Sequence, residues 1–143
     1  MDTDTSLTLM KNARELMENG YHCSEAMLLA LGAHYMGEIH PQAICMSTPF
    51  AGGVGGSHAD LCGALTGGIM LIGAMHGRVD AQTNDDRCQT LAAAFRVQFL
   101  QAFGWLKCQD LKDHWISLSG QESCAALMEK AAGVLIEVLE DNQ

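Results

Sequence analysis

Residues 52–68 read GGVGGSHADLCGALTGG, seven glycines around a single cysteine, Cys62. Glycine buries no side chain and loses the most backbone freedom on folding, so this density needs a physical cause. The second half of the stretch opens an apolar run, Leu61 to Met75, with no charged residue in it. An apolar run of that length reads as a helix that is hydrophobic all round and therefore central. Asp60 is placed to cap it, giving a helix over about 61–76. The first half, Pro49 to Ala59, reads as a glycine loop leading into that helix. Gly63, Gly67 and Gly68 leave part of the helix surface bare, so that a neighbouring helix or a bound group can approach closely.

Working outward, helical periodicity dominates. Residues 6–19 carry Leu7, Met10, Ala13, Leu16 and Met17 on one face, with Asp4 or Thr5 as cap and Gly20 as stop. A second helix runs from about Cys23 to Tyr35 and ends at Gly37. Pro41 opens a short third, PQAICMS, from a first-turn position. After the central helix, Thr83 is the expected cap of a helix carrying Leu91, Ala94, Phe95, Gln98, Phe99, Ala102 and Phe103, which Gly104 breaks. WLKCQDLKDHW predicts one or two helical turns. Ser119 and Glu122 form an S-x-x-E capping box for a last helix whose apolar face is Cys124, Leu127, Met128, Ala131, Val134, Leu135 and Val138. No segment shows strand alternation or an internal repeat. The expectation is an all-α, single-domain bundle over residues 1–143, of five to seven helices, with the glycine-rich apolar helix at its centre.

Composition narrows the function. Of 143 residues, 48% are hydrophobic and 17% charged, and 8 Lys and Arg stand against 17 Asp and Glu, for a net charge of −9. Clustered basic residues, the mark of a phosphate-backbone partner, are missing, so no nucleic-acid partner is expected. An anionic membrane surface is disfavoured by the same charge, and the apolar run is too short to span a bilayer. The acidic start, MDTDTSLTLM, lacks the basic-then-apolar order of a secretion signal, so a cytoplasmic location is expected. The cytosol keeps thiols reduced, which argues against six cysteines held as structural disulfides.

Cys23, Cys62 and Cys124 fall near expected helix starts, where the dipole and free N–H groups favour thiolate over thiol. Cys124 is expected about a turn inside its helix, where the effect is weaker. Cys108 follows Gly104, in a turn able to aim it inward. Cys45 and Cys88 look incidental, since free cysteine often serves as a small core residue. There is no C-x-x-C, so any thiol group must assemble from separate helices.

The order and spacing of these pieces resemble a family of small redox-active proteins, mostly prokaryotic, named for the pattern C, then G-C-A-x-x-G, then C and C. The matching pieces are Cys23 in GYHCSEAMLLAL, Cys62 in FAGGVGGSHADLCGALTGGIMLIG, Cys108 in FGWLKCQDL and Cys124 in ESCAALMEKAA. In this chain the central element reads C-G-A-x-x-G, with Cys62 before Gly63. The resemblance implies a redox role for the four cysteines, and a related module resembles the non-haem iron portion of split-Soret cytochromes. Two chemistries fit. The four thiolates bind an iron–sulfur cluster, [2Fe–2S] or [4Fe–4S], for electron transfer with an unidentified redox partner, or they form reversible disulfides. Zinc held by the same thiolates is a lesser option, and without C-x-x-C-H no haem is expected. A non-catalytic helical module binding a ligand or partner is the competing class. Whether the chain is an enzyme stays open, and a homodimer is compatible with the sequence.

Gly53, Gly55, Gly56, His58 and Gly63 are the expected cofactor-proximal positions. GGVGGS is neither a P-loop, since no lysine follows, nor G-x-G-x-x-G, since His58 stands where the third glycine belongs. His58, four residues before Cys62, is a candidate metal ligand, sulfur donor or proton carrier, set against a plain solvated loop residue. His22 divides the same way. Glu25 complements a helix dipole. Arg96 either pairs inward or extends to the surface.

Overall fold

The computed structural model describes residues 1–117 and 123–142. Helix α1 spans Thr3–Glu18, α2 Cys23–Met36, α3 Pro41–Ser47, α4 Gly63–His76, α5 Asp86–Phe103, α6 Cys108–Asp110 and α7 Cys124–Asp141. A 3-10 turn, Thr48–Phe50, follows α3, and a π-helical turn, Leu111–Ile116, continues α6. The fold is all-α. Among the described residues the β pairing is a single antiparallel bridge, Leu61 with Lys107. No described helix is long and apolar enough to cross a membrane.

The glycine-rich helix α4 packs against α2, α5 and α7, and α1 lies across α2 and α7. The buried hydrophobic side chains form one cluster drawn from all five long helices. Helices α2 and α4 come close because the central helix lacks side chains at the crossing. A Cβ on Gly67 would stand 2.9 Å from Ser24 Cα, and one on Gly63 would overlap Cys23 Sγ. The ring of Phe95 lies over Gly68 in the same way. On α5 the buried side chains are Leu91, Phe95, Phe99 and Phe103, a strict four-residue repeat. Their rings stack onward, Phe95 to Phe99 at 6.0 Å, Phe99 to Phe103 at 4.6 Å and Phe103 to Trp115 at 5.1 Å.

Several helix starts differ from the sequence expectation. Asp2, not Asp4 or Thr5, caps α1, accepting from the Thr5 N–H at 2.7 Å. Helix α4 begins at Gly63 with Cys62 as its cap, two residues later than expected. Asp60 to Cys62 stay extended because they pair with the chain before α6. The Cys62 N–H donates to Leu106 O at 2.9 Å and the Cys108 N–H to Asp60 O at 2.9 Å. Thr83 does not cap α5, since its N–H and hydroxyl both donate to Asp80 Oδ1, and Asp85 takes the cap position. Helix α7 begins at Cys124 after an extended Ser123. The Ser119–Glu122 capping box lies outside the described residues.

Candidate functional site

Four of the six cysteines sit at helix starts. Cys23 is the first residue of α2, Cys62 the cap of α4, Cys108 the first residue of α6 and Cys124 the first of α7. The starts that carry Cys23, Cys62 and Cys108 are held by specific contacts. The Glu25 carboxylate accepts from the His22 N–H at 2.9 Å and from Thr48 Oγ1 at 2.6 Å, and Ser24 Oγ donates to Ser47 O at 2.7 Å. These contacts tie the N-terminus of α2 to the end of α3. The extended pairing of residues 60–62 with 106–108 brings Cys62 and Cys108 side by side.

All four cysteines line one cavity of about 180 Å³. Its other walls include Met17, Leu111, Ile116 and Leu127, with Lys112 as the one ammonium. Cys45 is exposed and Cys88 half-buried, and neither reaches the cavity. Gly63 lies on the wall, where its missing Cβ leaves room for Cys23 Sγ. Gly53 stands just behind, against Cys108 Cβ. Gly55, Gly56 and His58 are not on this wall. They line an adjoining outer cleft of about 460 Å³, which shares His22, Ala51 and Gly52 with the thiol cavity. Arg96 is exposed and makes no ion pair among the described residues.

The glycine loop is a left-handed turn. Gly52, Gly53, Val54, Gly55 and Gly56 have φ between 60° and 70°, and His58 follows at 62°. Side chains resist this region, and four glycines in five residues make it accessible. The Gly56 N–H donates to Ala51 O at 3.1 Å and the His58 N–H to Gly52 O at 2.8 Å.

Electrostatics corrects one expectation. The thiols of Cys62, Cys108 and Cys124 all ionise less readily than a free cysteine. For Cys62, burial pushes the thiol far up and the neighbouring Cys23 adds to it, while the N–H groups of Ala64 and Leu65 pull the other way. The helix start therefore does favour the thiolate, but removal from water costs more. Burial also dominates at Cys108 and Cys124, opposed in both by the Lys112 charge. Cys23 adds to the upward push at each of the other three, and Cys108 is coupled to Cys62, Cys124 and Cys23 as well. Among the described residues no three His, Cys, Asp or Glu side chains are placed to hold one metal ion.

Lys112 was not legible as a site residue, although it lies four positions after Cys108, on the same face of a helical turn. Its relation to Cys124 depends on packing between segments distant in sequence.

The site is thus a thiol-lined cavity at the meeting of four helix starts in an all-helical protein. The chain belongs to the family described as "Putative redox-active protein (C_GCAxxG_C_C)", whose family model matches residues 21–138. No curated protein and no solved structure matches it.

Proposed function

We propose that the cavity holds an iron–sulfur cluster through Cys23, Cys62, Cys108 and Cys124, and that the protein passes single electrons between redox partners. One observation carries this reading: four cysteines from four separate elements rim one cavity, while the remaining two stay outside it. The donor set suits the group, since thiolates are the usual ligands of iron–sulfur clusters. A polynuclear cluster interposes its own iron and sulfide between its ligands, so it needs sulfurs around a space rather than gathered on one atom. The raised thiols are consistent with it too. Raised by burial, they keep their protons until a cation displaces them, which weakens the case for rapid disulfide exchange at neutral pH.

Anaerobic purification tests the proposal. The expected result is a brown protein with iron and acid-labile sulfide, lost in Cys62→Ser and retained in Cys45→Ser. A colourless protein whose thiol count falls reversibly on mild oxidation would establish dithiol chemistry instead. A colourless protein with bound zinc would make the site structural, and one with neither metal nor responsive thiols would leave a binding module.

A further inference from the structure

Among the described residues, Lys112 is an ammonium without a carboxylate partner, in a chain of net charge −9. Among the described residues no acidic group lies within ion-pair distance of its Nζ. The adjacent Asp113 is engaged elsewhere, accepting from Gln109 Nε2 at 2.8 Å. The partner of Lys112 is His58, with Nζ 3.3 Å from Nε2. An ammonium only donates, so Nε2 of His58 is the accepting atom in this contact.

His58 is held from both sides. Its N–H donates to Gly52 O in the left-handed turn at 2.8 Å, and its carbonyl accepts from the Gln109 N–H at 3.0 Å, just inside α6. Its own φ of 62° belongs to that turn. The glycine turn thus fixes His58, His58 meets Lys112, and Lys112 faces the thiols from the cavity wall.

An oxidised cluster with four thiolates carries about two negative charges net, and each added electron increases that charge by one. Apolar walls make such charge expensive, and a nearby cation lowers the cost most for the reduced state. We propose that Lys112, positioned by His58, is the counter-charge of the cluster and raises its reduction potential, and that the left-handed glycine turn serves to place His58. This rests on the iron–sulfur reading. Lys112 and His58 are positioning and charge-setting residues here, not ligands.

The test compares the parent with Lys112→Arg, Lys112→Gln and His58→Asn. Each is reconstituted without oxygen from ferrous iron and sulfide, then titrated with dithionite, which dissociates into two SO2 radical anions, each giving one electron to one cluster and ending as sulfite. Asparagine tolerates the left-handed backbone at position 58, so His58→Asn removes the ring without straining the turn. Lys112→Gln is expected to weaken reduction about tenfold, a shift of about −59 mV for one electron. Lys112→Arg is expected to stay near the parent and His58→Asn to fall between, with visible spectra unchanged. Failure of Lys112→Gln alone to retain iron, with parental helicity and melting and with rescue by arginine, would also support the proposal. A parent that loads and four coincident potentials would overturn it and leave the cluster reading standing. A parent that takes up no iron or sulfide would remove the cluster reading and this proposal with it.

Discussion

The sharpest structural prediction compares one substitution at two places on α4. At Gly73 an added Cβ meets nothing within 4 Å, whereas at Gly67 it meets the backbone of Ser24, with Cα at 2.9 Å and C at 3.1 Å. Alanine is favoured over glycine in a helix interior by about 1 kcal/mol, so Gly73→Ala should stabilise the protein by about that amount. Gly67→Ala gains the same propensity, but a main chain cannot rotate away as a side chain can. Overpacking costs roughly 1–3 kcal/mol, and a backbone neighbour places this site at the upper end. The net expectation is a loss of about 2 kcal/mol, or about 7 °C in melting temperature for a chain of this size. Because α2 must move off α4, Cys23 next to Ser24 should shift as well, so Gly67→Ala should also take up less iron. Urea denaturation of the reduced, metal-free protein measures the first effect, and iron analysis after anaerobic reconstitution the second. A Gly67→Ala protein as stable as Gly73→Ala would refute the close crossing of α2 and α4, and with it the placement of Cys23.

Phe99, fully buried between Phe95 and Phe103, should cost about 3–5 kcal/mol as Phe99→Ala, read by urea denaturation. The Tyr35 hydroxyl is buried without a hydrogen-bond partner among the described residues, so Tyr35→Phe should raise stability by up to about 1–3 kcal/mol. Burial and then the nearby Glu140 push the Tyr35 phenol up to about 12. Its folded value lies above the ordinary one near 10, so this contribution is complete below about pH 10 and is lost as the pH rises towards 12. Stability of the parent should therefore fall across that window, and more steeply than that of Tyr35→Phe, in denaturation curves recorded at each pH. In the metal-free protein at neutral pH, iodoacetamide should label exposed Cys45 well before Cys62, whose buried thiol stays protonated; peptide mass spectrometry reads the order.

Much of the architecture was legible because the long helices carry their own signals. Pro41 begins α3, Gly37 and Gly104 lie just past the ends of α2 and α5, and the spacing of Phe95, Phe99 and Phe103 marks the buried face of α5. The starts were less legible, since a cap competes with other uses of the same residue. Asp60 has a capping side chain, yet its backbone pairs with the segment before α6, and nothing local announces that Leu61 will face Lys107. Cys23, Cys62 and Cys124 were singled out from expected helix starts, Cys108 from the turn after Gly104, and the set of four from the family resemblance, whereas Lys112 and Ala51 enter the site through contacts between distant segments.

The thiol ionisation shows why local reasoning about helix dipoles fell short. At Cys62 the N–H groups of α4 act in the expected direction, but the cavity also strips water from the sulfur and sets other thiols beside it. A helix start favours an anion by about 0.3–1 kcal/mol in exposed settings, while full burial of an ionisable group can shift it by several pKa units, each about 1.4 kcal/mol. Desolvation therefore wins at Cys62, and at Cys108 and Cys124 it outweighs the Lys112 charge. The group that would ionise them must bring its own positive charge. On the iron–sulfur reading, the helix N-termini around the cavity would act on the loaded site rather than the empty one: their partial charges, together with Lys112, would stabilise the anionic unit once a cation has displaced the protons. On the proposed reading, the same burial that suppresses free thiolate chemistry ties deprotonation to metal uptake.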